Sequence, residues 1–220
     1  VRLHDLLGRS SDSPNRERAV LRRRVFVGIT IVVATTLLAG TLRVRPGSTS
    51  FFTFGLGAAA AWILGALASG PIPVRPLHRA PRQAVPPAVV LGLLTFLGFL
   101  AADLVGLHLP YIATALHNIL NRADKGPVVI VLLVALVNGL GEELFFRGAL
   151  FAALEHHRPV LTSTVIYIAV TVATGNVALV LAAAVMGTIF ALQRAHTGSV
   201  LASSVTHLCW STLMLLALPR

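Results

Sequence analysis

Glu142, Glu143 and Arg147 stand inside one apolar run, residues 127–154, that is long enough to cross a bilayer. A charged side chain at the centre of a membrane helix costs about 2.5–3.5 kcal/mol on insertion scales, so three in one run call for a chemical explanation. Glu143 and Arg147 are four residues apart, share a helix face and can pair. Glu142 points about 100° away from Glu143 on the helical period. It has no partner within its own turn, although Asn138 lies one turn back on its face. A second costly group, His207, sits inside a later apolar run with Ser203 and Ser211 four residues to either side. An intramembrane carboxylate shielded from water is suited to take a proton from a water molecule. A histidine on a facing helix can donate a hydrogen bond to a developing oxyanion. Together these groups could hydrolyse a peptide bond within or at a membrane, with Arg147 orienting the site.

The elements that must position these groups follow from hydropathy. Apolar runs occur at 25–42, 51–69, 87–107, 127–154, 160–174, 177–192 and 199–218. The expected fold is all-α: a polytopic membrane bundle of about seven transmembrane helices. The fifth and sixth runs are short, and Gly175-Asn176 alone separates them, which predicts a tight helical hairpin. The Pro-rich stretch 70–86 is expected not to be regular helix. Pro110–Asn121 has the apolar spacing of a short interfacial helix. Residues 1–24 hold seven arginines and read as a basic cytoplasmic tail, with 25–220 as one transmembrane domain. If the N-terminus is inside, the inside segments hold 12 Lys and Arg and the outside segments 5. That bias predicts a multi-pass protein of the cell membrane with a cytoplasmic N-terminus, and it puts Glu142 in the cytoplasmic half of the fourth span.

Composition supports the same class. Of 220 residues, 55% are hydrophobic and 12% charged, against about a quarter charged in soluble domains. The net charge of +10 therefore reads as residues flanking membrane spans, not as a nucleic-acid surface. One cysteine, Cys209, rules out an intrachain disulfide. There is no Gly-x-Ser-x-Gly, no pair of intramembrane aspartates and no His-Glu-x-x-His, which disfavours the serine, aspartyl and zinc intramembrane proteases built on those motifs.

Glu142-Glu143-Leu-Phe-Phe-Arg147-Gly148 resembles the first motif, Glu-Glu-x-x-x-Arg, of the CPBP family (CAAX protease and bacteriocin-processing, also called Abi or Rce1-like, intramembrane endopeptidases). The resemblance covers about 118–218. His207-Leu-Cys-Trp-Ser211 is similar to the family's His-x-x-x-Asn/Asp motif, with Ser for Asn. Tyr167-Ile-Ala-Val-Thr171 keeps the aromatic of its Phe/Tyr-x-x-x-His motif but has Thr171 in place of His. The resemblance implies that Glu142 activates water, that Glu143 and Arg147 hold the geometry and that His207 stabilises the oxyanion. Thr171, Ser211 and Asn138 are supporting candidates. Asn176, His156 and His157 are the polar groups that could stand in for the absent histidine. No cofactor is expected. A metal is implied only by a metalloprotease description of the family, and Glu142 with His207 falls short of the three protein ligands usual for catalytic zinc.

Two other functions remain open at this level. Thr171 is consistent with a degenerate family member acting as a membrane scaffold or immunity protein. Glu142 is also consistent with a proton-coupled transporter. The expected partners are the lipid bilayer and a peptide or membrane-protein substrate, with no nucleic acid.

Overall fold

The computed structural model describes residues 13–72, 81–123, 125–154 and 157–217, and among these there is no strand. The helices are α1 (Ser13–Arg43), α2 (Thr49–Ala68), α3 (Pro81–Gly106), α4 (Pro110–Ala123) and α5 (Val128–Glu143). A π-helical segment, Leu144–Leu150, continues α5 and leads into the single turn α6 (Phe151–Leu154). After it come α7 (Pro159–Val172), α8 (Val177–Thr197) and α9 (Val200–Ala217). Six helical stretches among the described residues are long and apolar enough to cross a membrane, with α7 a shorter apolar helix. The chain is thus a polytopic helical bundle. At 14 residues α7 rises about 21 Å, roughly two-thirds of a hydrocarbon core.

Local chemistry explains several ends. Ser48 caps α2, its hydroxyl accepting from Phe51 N at 3.2 Å. Asn176 caps α8, accepting from Leu179 N at 3.1 Å. Gly175 between α7 and α8 is left-handed (φ 71°), a conformation glycine adopts without a Cβ penalty, and the predicted hairpin forms there. One expectation needs correction. The stretch 70–86 is helical from Pro81, and α3 carries Pro86 and Pro87 within it, while 73–80 lie outside the described residues. Pro86 and Pro87 are the sixth and seventh residues of α3, beyond its first turn, so each removes one i→i−4 donor near the helix start. Of the basic segment 1–24, the described residues from Ser13 on are helical and form the start of α1.

The bundle is ordered by its packing. α2 lies between α1 and α5, α9 lies between α5 and α3, and the α7–α8 hairpin closes on α9 through α8. At one end Arg122 on α4 donates to Val44 O at 3.1 Å and Leu42 O at 2.5 Å, at the C-terminal end of α1. Asn176 donates to Ala115 O on α4 at 2.9 Å, so the hairpin turn shares that end. At the other end Arg23 donates to Pro71 O and Arg22 to Ala68 O. Val32, Leu64, Leu94, Val129 and Leu181 are among the exposed aliphatic side chains that face outward, as lipid contact requires. The core is built on Trp62, whose ring centroid is 4.8 Å from that of Phe145 and 5.0 Å from that of Phe146. Residues 145–150 of the π-helical segment are buried on every side, because α1, α2, α7, α8 and α9 all pack on it.

Candidate active site

Glu143 is fully buried and binds two partners through one oxygen. Arg147 Nη1 lies 3.3 Å from Glu143 Oε1, and His207 Nδ1 lies 3.3 Å from the same atom. The expected pair is present and has a third member from α9. Ser203, one turn before His207, faces the same carboxylate. With Nδ1 engaged, Nε2 is the ring nitrogen left to act on a substrate, and donating from it at the same time requires an imidazolium. The His207 ring is stacked on Phe190 at 4.7 Å and 23°. A Cβ at Gly139 would lie 3.4 Å from Nε2, in van der Waals contact, so the ring packs against α5 at this position.

Arg147 is held by more than its carboxylate. Its Nη2 donates to Gly187 O on α8 at 3.0 Å. Its guanidinium lies over the rings of Tyr167 at 4.8 Å and Phe190 at 5.1 Å. Its own carbonyl accepts from Arg194 Nε at 2.8 Å. The π-helical turn puts this arginine at the junction of α5, α7 and α8, whereas the sequence reading assumed an unbroken α-helix. π-turns inside α-helices commonly accompany functional sites.

Glu142 points away from this buried cluster, as the helical period predicts. It lines a cavity of ≈ 210 Å³ together with His207, Tyr167, Thr171, Phe190 and Trp210. Tyr167 OH donates to Glu142 Oε2 at 2.7 Å. The cavity continues past Met186 to Thr174 and Leu179 at the hairpin turn, toward the end that carries α4. Glu142 is half-buried, near the middle of the 128–154 span.

The supporting residues divide. Thr171 reaches the cavity, but its hydroxyl donates back to Tyr167 O at 2.9 Å. Asn138 turns instead to α2, where Nδ2 donates to Gly55 O at 3.0 Å and to Val134 O on its own helix. Ser211 is half-buried and is not part of the cavity wall. Asn176 is committed to capping α8 and to Ala115. His157 is exposed, its Nδ1 3.0 Å from Leu154 O, and His156 lies outside the described residues. Neither Asn176 nor His157 stands in for a histidine at position 171. The sequence reading missed Tyr167 as a partner of Glu142. Thr171, one helical turn on, marks the same face of α7, but the approach of the phenol to Glu142 is a tertiary contact.

A metal does not fit these donors. Glu143 is occupied by Arg147 and His207, which leaves Glu142 and His207 Nε2. Among the described residues no group of three or more His, Cys, Asp or Glu could hold a metal ion.

Searches of the curated proteins and of the solved structures returned no match. Residues 124–213 match the family described as type II CAAX prenyl endopeptidase Rce1-like. That stretch contains Glu142, Glu143, Arg147, Tyr167, Thr171 and His207, the residues gathered around the cavity, and over it the chain is similar to the Rce1-like family.

Proposed function

We propose that the protein is an intramembrane endopeptidase in which Glu142 activates a water molecule for peptide-bond hydrolysis. The observation that carries this is the cavity, which holds an unpaired-with-cation carboxylate, Glu142, opposite His207 inside an otherwise apolar bundle. Glu142 takes a proton from water as the water oxygen bonds to the scissile carbonyl carbon. His207 Nε2, in the imidazolium form, donates to the oxyanion that develops. The proton held by Glu142 then passes to the leaving amine as the C–N bond breaks. Glu143 and Arg147 fix His207 and the helix junction and touch no substrate.

The scissile bond in this reading lies beside Glu142, within the cytoplasmic half of the 128–154 span if the N-terminus is inside. With the Arg-rich end of α1 in the cytoplasm, the cavity reaches toward the opposite face. The substrate is a peptide or membrane-protein segment, and the membrane is the cell membrane.

The test is cleavage of a quenched fluorescent peptide library by the purified protein in detergent. Wild type should cleave and Glu142→Ala should lose the activity. Equal rates for the two would remove Glu142 as the base.

Thr171 carries a second reading, a family fold kept as a scaffold or immunity protein without turnover. It expects Glu142→Gln to retain the cellular phenotype. Loss of that phenotype at unchanged protein level would count against it.

A further inference from the structure

We propose that Tyr167 is the positioning residue of this site: its hydroxyl holds one oxygen of the Glu142 carboxylate so that the other faces the cavity and takes the proton from water. The inference rests on the reading of Glu142 as the water-activating base.

The bond from Tyr167 OH to Glu142 Oε2 is 2.7 Å, a well-formed O–H···O hydrogen bond. It is the one hydrogen bond that Glu142 receives among the described residues. A carboxylate on a flexible glutamate arm can rotate through many orientations, and a base is effective only within hydrogen-bond reach of its water. Tying Oε2 removes that freedom and leaves Oε1 for the cavity.

Tyr167 itself is held in place. Its ring meets Phe146 edge-on at 4.8 Å between centroids. The Arg147 guanidinium covers it at 4.8 Å. On α8, a Cβ at Gly187 would come within 2.9 Å of Tyr167 Cδ1, so the ring lies directly against that backbone. Phenylalanine could make all three contacts equally well. The hydroxyl adds nothing to the packing, and without a partner it would carry a desolvation penalty. Its partner in the structure is Glu142.

The same helix face explains why this tyrosine takes the part. One turn on, at the position where the family resemblance implies histidine, Thr171 turns its hydroxyl back to Tyr167 O. Tyr167 is therefore the side chain of α7 that reaches the carboxylate.

The experiment compares purified full-length wild type, Tyr167→Phe and Gly187→Ala in detergent. Two readouts are used: kcat and KM on the quenched fluorescent peptide library, and the infrared carboxyl and carboxylate bands of Glu142, identified by their loss in Glu142→Gln. Tyr167→Phe should melt like wild type, lower kcat roughly ten- to a hundredfold with KM unchanged, and shift the Glu142 bands. Gly187→Ala, which displaces the ring but keeps the hydroxyl, should shift the bands and lower kcat in the same direction. Unchanged bands in Tyr167→Phe overturn the proposal whatever the activity. Shifted bands with unchanged kcat, or a rise in KM alone, overturn the positioning role. If wild type cleaves no peptide, the endopeptidase reading fails and the positioning role falls with it; a variant-specific loss leaves that reading standing.

Discussion

His207 Nδ1 and Glu143 Oε1 lie 3.3 Å apart, joining α9 to the end of α5 across the centre of the bundle. The same oxygen receives Arg147 Nη1 at 3.3 Å. One carboxylate oxygen therefore sets both the orientation of the imidazole and the charge balance of a guanidinium that is 1% exposed.

Replacing Glu143 should damage the fold before it damages the chemistry. Glu143→Gln keeps the shape but leaves the Arg147 charge buried without its counter-ion, a loss of about 3–5 kcal/mol for breaking a buried pair. His207→Ala removes one of two partners and should destabilise less. Denaturation in mixed micelles, followed by circular dichroism, orders the two variants. The reverse order would mean that the imidazole, not the guanidinium, is the main partner of Glu143.

Asn138 and Ser211 should separate from the chemistry. Asn138→Ala breaks the link to Gly55 O and should lower stability by about 0.5–1.5 kcal/mol, in the range of interhelical hydrogen bonds in membranes. Peptide cleavage by Asn138→Ala and by Ser211→Ala should stay at the wild-type rate. A large drop in kcat for either, with stability matched, would return that residue to the site.

Thr171→His should raise cleavage. The residue lines the ≈ 210 Å³ cavity beside Glu142, so an imidazole projected there has room and a carboxylate partner. A second proton-transfer group contributes about a hundredfold or more in favourable cases. Initial rates on the peptide library measure the gain. An unchanged rate with intact folding would show that the missing histidine is not what limits turnover.

Gly141 should prove intolerant of size. Its Cβ position lies 3.1 Å from Ala59 O and 3.1 Å from Trp62 Cβ, where α2 meets α5. Gly141→Val forces the two backbones apart and should cost about 1–3 kcal/mol, read as a lowered denaturation midpoint. Gly98, whose Cβ position meets nothing within 4 Å, serves as the control, and Gly98→Ala should leave the midpoint near wild type.

Much was determined by the order of residues alone. Long apolar runs define the spanning helices, because a bilayer demands internally bonded backbone over a set length. Four-residue spacing pairs Glu143 with Arg147 and turns Glu142 elsewhere, because that is a property of one helix. Gly175-Asn176 makes the hairpin, because left-handed glycine and an asparagine cap act locally. What depends on contact between distant segments was decided only in three dimensions. Asn138 goes to Gly55 and not to Glu142, because α2 lies against that face of α5. His207 binds Glu143 through Nδ1, because α9 packs against α5 beside Gly139 and brings the ring to the carboxylate. Tyr167 reaches Glu142 because the π-helical turn, Phe146 and the Gly187 backbone set its ring, and no spacing within α7 encodes that approach.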